Sequence, residues 1–147
     1  MEVYMLHSHT KVWVHLIWTT KDRIKSLHKD LRITLFKHLI KQAEEIGIAI
    51  EKLNVQPEHI HLLFTLLSNM LLQDVAKNLK GESSRWINEN ELTNDRFQWQ
   101  RGYGAFSVSP SLVNVVKEYV ANQDMHHQKQ SFMDEYYTFL RKYGVNR

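Results

Sequence analysis

The period of the hydrophobic residues changes several times along this chain, and each change predicts an element. From Lys11 to Thr20, Val12, Val14, Leu16 and Trp18 alternate with Trp13, His15 and Ile17. Alternation with apolar residues on both faces predicts a strand in the middle of a sheet. Lys21 to Lys25 reads as a charged loop; beyond it Leu31, Leu35, Leu39, Ala43 and Ile46 recur at three- and four-residue spacing. That is an amphipathic helix starting near Asp30, with Gly47 suited to its C-terminal cap. Ile48 to Val55 alternates again, Gln56-Pro57-Glu58 interrupts because proline cannot continue a ladder, and His59 to Leu67 gives a third strand, paired antiparallel with the second as a hairpin.

Met70, Leu71, Val75 and Leu79 open a second helical pattern running to about Asn90, followed by an irregular polar stretch from Glu91 to Gln100. Tyr103 to Ser109 alternates as a fourth strand. Pro110 then sits where the first turn of a helix tolerates it, with Leu112, Val113, Val116 and Val120 as the apolar face. A last helix from about Ser131 to Tyr143 carries Phe132, Tyr136, Phe139 and Leu140. The order βαββαβ followed by helices predicts an α+β, ferredoxin-like antiparallel sheet with helices on one face. That topology hosts many unrelated functions.

Composition narrows the class only a little. At 147 residues the chain is long enough for one domain, spanning 1–147, with a core that needs no staples. It has no cysteine, which excludes a disulfide framework and thiolate metal sites and fits a reducing cytoplasm. No segment approaches the roughly 18 apolar residues of a membrane span, and Met1 to Thr10 lacks the apolar stretch of a signal peptide. Lys and Arg outnumber Asp and Glu by 19 to 16, a mild basic bias compatible with nucleic acid.

The candidate chemistry lies at His59-Ile60-His61. On a strand the two histidines point the same way, about 7 Å apart, while Ile60 points to the other face. Two imidazoles so placed can reach one metal ion and leave coordination positions open; they can equally be two partly exposed histidines above a core. His15 reads as a hydrogen-bonded strand histidine, and the adjacent His126-His127 as surface residues about 100° apart on a helix. In the helix after Pro110, Tyr119 and Gln123 stand four residues apart on one face, outside its apolar stripe. A tyrosine beside a metal is a nucleophile candidate, and a glutamine carbonyl can complete a metal shell.

Four motifs in order resemble the single-tyrosine HUH transposases of the insertion-sequence-200-like class (TnpA). They are His59-Ile60-His61 after Pro57-Glu58, Leu79-Lys80-Gly81-Glu82-Ser83-Ser84, Trp99-Gln100-Arg101-Gly102-Tyr103, and Tyr119-Val120-Ala121-Asn122-Gln123. The resemblance runs from the Trp13 strand to Gln123. It implies a metal-dependent endonuclease and strand transferase acting on single-stranded DNA with hairpin ends. In that reading His59, His61 and Gln123 hold Mg2+ or Mn2+. Tyr119, on a catalytic helix C-terminal to the sheet, attacks a phosphodiester to leave a 5′-phosphotyrosine and a free 3′-hydroxyl. The resemblance further implies a homodimer whose subunits share active sites. Lys77, Lys80 and Arg85, with Arg23 and Lys25 beside Lys21, are the phosphate-contact candidates, and Trp99 and Tyr103 are candidates for base stacking or for core packing. Two features depart from the family pattern: Glu58 where an aspartate is common, and a chain that ends soon after Tyr143. Two other classes fit parts of the pattern: a non-catalytic, domesticated hairpin-binding protein, and a metal-dependent phosphodiesterase that uses water.

Overall fold

The strand expected to be central is central. In the computed structural model, which describes residues 8–124 and 130–145, β1 (Val12–Thr19) lies between β3 (His59–Leu66) and β4 (Gly104–Val108), antiparallel to both. β2 (Ala49–Val55) adds outside β3, giving the order β2-β3-β1-β4 of a ferredoxin-like sheet. The β2–β3 hairpin is antiparallel, with its register shifted between Ile50 and Lys52. Four helices with both ends among the described residues pack on the sheet: α1 (Lys29–Ile46), α2 (Leu72–Glu89), α3 (Val113–Ala121) and α4 (Phe132–Lys142). His126 and His127 lie outside the described residues. Among the described residues no helix is long and apolar enough to cross a membrane.

The period-two alternation of the strands sorts the sheet into two unlike faces. Val14, Leu16 and Trp18 of β1 join Ile60, Leu62 and Phe64 of β3 against Leu31, Leu35, Leu39 and Ala43 of α1 and Val75, Ala76, Leu79 and Ile87 of α2. This is the larger core, and the helix pair expected on one face is α1 with α2. The C-terminal helices take the opposite face. There Val113 and Val116 of α3 pack on Leu63, Val108 and Trp13, and Phe132, Tyr136, Phe139 and Leu140 of α4 pack on Ile17 and Phe106. Both faces of β1 and β3 are therefore covered, and the first seven residues of β3 are all buried.

Local chemistry accounts for the element ends. α1 begins at Lys29, just before Asp30, because His28 serves as its cap and Nδ1 accepts from the Leu31 amide at 3.3 Å. Gly47 ends it in the left-handed region at φ 82°, and its amide reaches back to the Ala43 and Glu44 carbonyls. Pro110 opens a 3-10 turn, Pro110–Leu112, and α3 follows at Val113. Leu112 consequently leaves the expected apolar face and is exposed. On β4, Gly104 meets the ring of Tyr136, so that a Cβ built on this glycine would lie 2.6 Å from the Tyr136 hydroxyl and 2.8 Å from Cε1. The Tyr136 ring of α4 fits this close to the strand because residue 104 has no side chain.

Gly47→Ala forces a Cβ into the left-handed region and is expected to destabilise the protein by about 1 kcal/mol. Urea unfolding checks this as a lowered midpoint at an unchanged m-value.

Candidate active site

Strand parity gives the site its first two groups. Ile60 is fully buried in the α1–α2 core, so its neighbours His59 and His61 both point to the α3–α4 face. Neither is partly exposed: both rings have 0% exposure, with centroids 5.0 Å apart. Burial at this level requires that each ring nitrogen be accounted for. His59 Nδ1 lies 2.6 Å from Glu58 Oε1, the acidic residue immediately before it. His61 Nδ1 lies 2.8 Å from Nε2 of His15 on the neighbouring central strand. Each imidazole is thus held from behind through Nδ1 and presents Nε2 forward.

Both forward nitrogens face oxygen. His59 Nε2 is 3.4 Å from Gln123 Oε1, and His61 Nε2 is 3.2 Å from Glu135 Oε1. Gln123 is placed by α3: it follows the helix end by two residues, and its Nε2 donates back to the Tyr119 carbonyl at 3.3 Å, turning Oε1 outward. Its neighbour Asp124 accepts from Gln56 of the β2–β3 connection at 2.9 Å, which ties the α3 exit to the hairpin. Glu135 is 3% exposed and sits on α4. Nitrogen and oxygen atoms of His59, His61 and Glu135 that can act as ligands all lie within 4.8 Å of one another. Two imidazoles with a carboxylate and an amide oxygen form a donor set suited to a divalent cation. Glu58 and His15 supply the outer hydrogen bonds that orient metal-binding histidines. The residues present fit such an ion.

Tyr119 completes the cluster. Its hydroxyl interacts with Glu135 and Gln123, and its ring stands edge-on to His61 at 5.9 Å and to Phe139 at 5.2 Å. Burial pushes the phenol well above its ordinary range, Glu135 pushes it further, and Gln123 opposes weakly. The resting tyrosine is therefore a neutral hydroxyl. Burial likewise lowers His15, with a smaller push in the same direction from His61, so that it too is neutral. α4 roofs the assembly, Phe132 lying 4.3 Å from the His59 ring and Phe139 5.3 Å from His15.

Four of the expected residues, His59, His61, Tyr119 and Gln123, come together here. Glu135 was missed, although a signal existed: an acid in line with Phe132 and Phe139 interrupts the apolar stripe of α4. The basic candidates are spread more widely. Lys77 is exposed on α2, and Arg85 pairs with Glu82 and Glu89. Lys80 turns inward, donating to the Gln100 and Gly102 carbonyls at 2.9 and 2.7 Å, and burial lowers its pKa. It also borders a cavity of about 520 Å³ with Lys21, Arg96 and Arg101. Lys25 lines a neighbouring hollow of about 570 Å³ that also includes Lys21 and Arg96. Arg23, in the Lys21–Arg23 turn with φ 55°, lines a third beside Arg101 and Tyr103. Trp99 packs against Trp18 and Phe97 and donates to Ser83 Oγ at 3.0 Å, so it belongs to the core; Tyr103 is exposed.

The chain is similar to known proteins in sequence and in fold. A family model described as "Transposase IS200 like" matches residues 8–123. The ISDra2 transposase TnpA of Deinococcus radiodurans is 27% identical over 114 residues, which cover 74% of this chain and 81% of that protein. The crystal structure of a putative transposase from D. radiodurans R1 superposes with a TM-score of 0.65 at 28% identity, over 79% of this chain and 93% of that one. A REP-associated tyrosine transposase bound to a REP hairpin gives a TM-score of 0.64 at 16% identity, over 82% of this chain and 72% of its own, a likeness of fold alone.

The inward turn of Lys80 has a measurable consequence. Lys80→Met removes both donors to the Gln100–Gly102 loop and is expected to cost about 1 kcal/mol of stability. Amide exchange is expected to speed up at residues 100–104 and to stay unchanged in β2, which hydrogen-exchange mass spectrometry reads directly.

Proposed function

The chain belongs to the IS200-like transposase family, and we propose on that premise that it cleaves and rejoins single-stranded DNA through a tyrosine-linked intermediate. One observation carries the proposal: the Tyr119 hydroxyl shares a buried pocket with two imidazoles, a carboxylate and an amide oxygen, all directed to one space.

In the proposed reaction the Tyr119 oxygen attacks the scissile phosphorus in line with the departing 3′-oxygen. A bond forms between tyrosine oxygen and phosphorus, and the bond from phosphorus to the 3′-oxygen breaks. The products are a 5′-phosphotyrosine and a strand that takes up a proton to end in a 3′-hydroxyl. Glu135, already interacting with the phenol, is the acceptor at hand for the tyrosine proton. Because the phosphotyrosine keeps the energy of the phosphodiester, a later 3′-hydroxyl can attack it and rejoin strands without a nucleotide cofactor. His59, His61 and Gln123, joined by Glu135, would hold Mg2+ or Mn2+, which when bound polarises the phosphate and favours the phenolate. Glu58 and His15 keep the two imidazoles aimed, and Gln123 has a second duty in holding the end of α3 near the site.

The substrate proposed is DNA with folded hairpin ends, in keeping with the hairpin carried by the REP-associated relative. Lys25, Arg23 and Lys80, with Lys21, Arg96 and Arg101, line adjoining hollows and supply positive charge for the phosphate backbone, with Lys77 and Arg85 as further contacts on α2. A homodimer is proposed as the working unit. In the single chain Tyr119 lies beside that chain's own histidines, so sharing of sites between subunits would require the α3 segments to exchange.

Incubation with labelled hairpin-ended single strands and Mn2+, followed by a denaturing gel, is expected to give a protein–DNA adduct. Tyr119→Phe is expected to abolish the adduct while leaving the melting temperature within a few degrees. Persistent cleavage without an adduct in that variant would mean that water is the nucleophile. A folded protein that binds hairpins and cuts none of them would mean a binding module.

Removing divalent ions with EDTA is expected to stop cleavage, and adding back Mn2+ to restore it. His61→Ala is expected to remain inactive at Mn2+ concentrations that saturate the unaltered protein.

A further inference from the structure

We infer that His15 is a positioning residue for the His61 arm of the site: it sets which nitrogen of His61 carries the ring proton, and so whether the Nε2 lone pair can face a cation. The inference rests on the metal reading above and deepens it.

His15 is fully buried on the central strand, where its backbone pairs with Leu63 and its ring reaches diagonally to His61. The two imidazoles stack at 5.0 Å with 27° between their planes, joined by the 2.8 Å contact from His15 Nε2 to His61 Nδ1. Its other neighbours give the ring no hydrogen bond. Phe139 and Tyr119 stand edge-on to it, and Nδ1 has no hydrogen-bond partner among the described residues. It is not in the group of atoms that can share one ion.

The two histidine arms are unequal in a way that gives His15 its role. Behind His59 stands a carboxylate, which accepts and cannot donate when ionised, so that the proton stays on His59 Nδ1. Behind His61 stands a second imidazole, which can do either. When His15 donates from Nε2, His61 carries its own proton on Nε2 and directs it at Glu135, 3.2 Å away. When His15 accepts at Nε2, His61 holds its proton on Nδ1 and its Nε2 lone pair is available to a cation; His15 then carries its proton on Nδ1. Each ring holds one proton in both arrangements, so the pair changes from closed to metal-ready without changing its charge. An apolar side chain in place of His15 would leave His61 Nδ1 buried without that contact and favour protonation at the wrong nitrogen.

Two variants test this in the DNA-free protein. His15→Leu keeps the bulk but neither donates nor accepts; His15→Gln restores an acceptor and a donor near the position of Nε2. Mn2+ titration, followed by the electron paramagnetic resonance signal of free Mn2+, is expected to show affinity about 10- to 100-fold weaker in His15→Leu and within about threefold of the unaltered protein in His15→Gln. Ring 15N spectra of the metal-free protein are expected to show the His61 Nδ1 resonance displaced in His15→Leu and near its original position in His15→Gln. Thermal melting identifies a variant that fails to fold, in which case His15→Gln alone decides: weakened binding with a displaced His61 resonance overturns the inference. Mn2+ affinity and His61 resonances unchanged in a folded His15→Leu would overturn it while leaving the metal reading intact. Mn2+ binding no tighter in the unaltered protein than in His59→Ala would overturn both.

Discussion

Two imidazoles with no exposed surface impose a condition that much of the molecule is arranged to meet. A buried polar atom without a partner costs on the order of 1–3 kcal/mol, and His59 and His61 bring four ring nitrogens into the α3–α4 face. Their partners come from four separate parts of the chain: Glu58 from the hairpin turn, His15 from β1, Gln123 from beyond α3 and Glu135 from α4. The site is therefore a meeting of four segments that lie apart in the sequence.

The opposite face supplies the rigidity. Ile60 lies between the two histidines in sequence and points into a core of large aliphatic and aromatic residues held by α1 and α2. Close packing of that core resists small displacements, so β3 cannot slip or twist without moving Leu62 and Phe64 as well. One strand thus has a packing face and a chemical face, and the first keeps the second in register. The same division explains why Lys80 and Trp99 face inward on the α2 side: they fasten the 99–102 segment to the scaffold, and leave Arg23 and Arg101 at its edge.

Much of this could be read before any coordinates, because period-two and helical patterns are strong signals in β1, α1 and β3. Gly47 was legible as a cap from residue type alone. The site was legible in part: the spacing His59-Ile60-His61 placed two rings on one face, whereas Tyr119 and Gln123, an unremarkable polar pair on a helix by themselves, gained meaning only from the family resemblance. Glu135 left only the weak signal of an acid in the apolar stripe of α4, which is ordinary until the helix is known to lie against two histidines. Complete burial of the histidines was hidden for the same reason. Covering the second face depends on α4, and nothing local to β3 announces that a helix more than sixty residues later will cap it. Leu112 escaped for a local reason, as the 3-10 turn after Pro110 rotates it away from the stripe continued by α3.

The bare backbone at Gly104 reaches further than its own strand. Tyr136 presses its ring into the space where a Cβ would stand, and it is itself stacked on Phe132 at 5.7 Å. The residue before it is Glu135. A methyl group at position 104 would press on the Tyr136 ring and oblige that side chain to shift, one residue along α4 from the carboxylate that faces His61. An edge strand that contributes no functional group to the chemistry thus shapes, through the absence of one side chain, how the helix carrying the acid packs over the sheet.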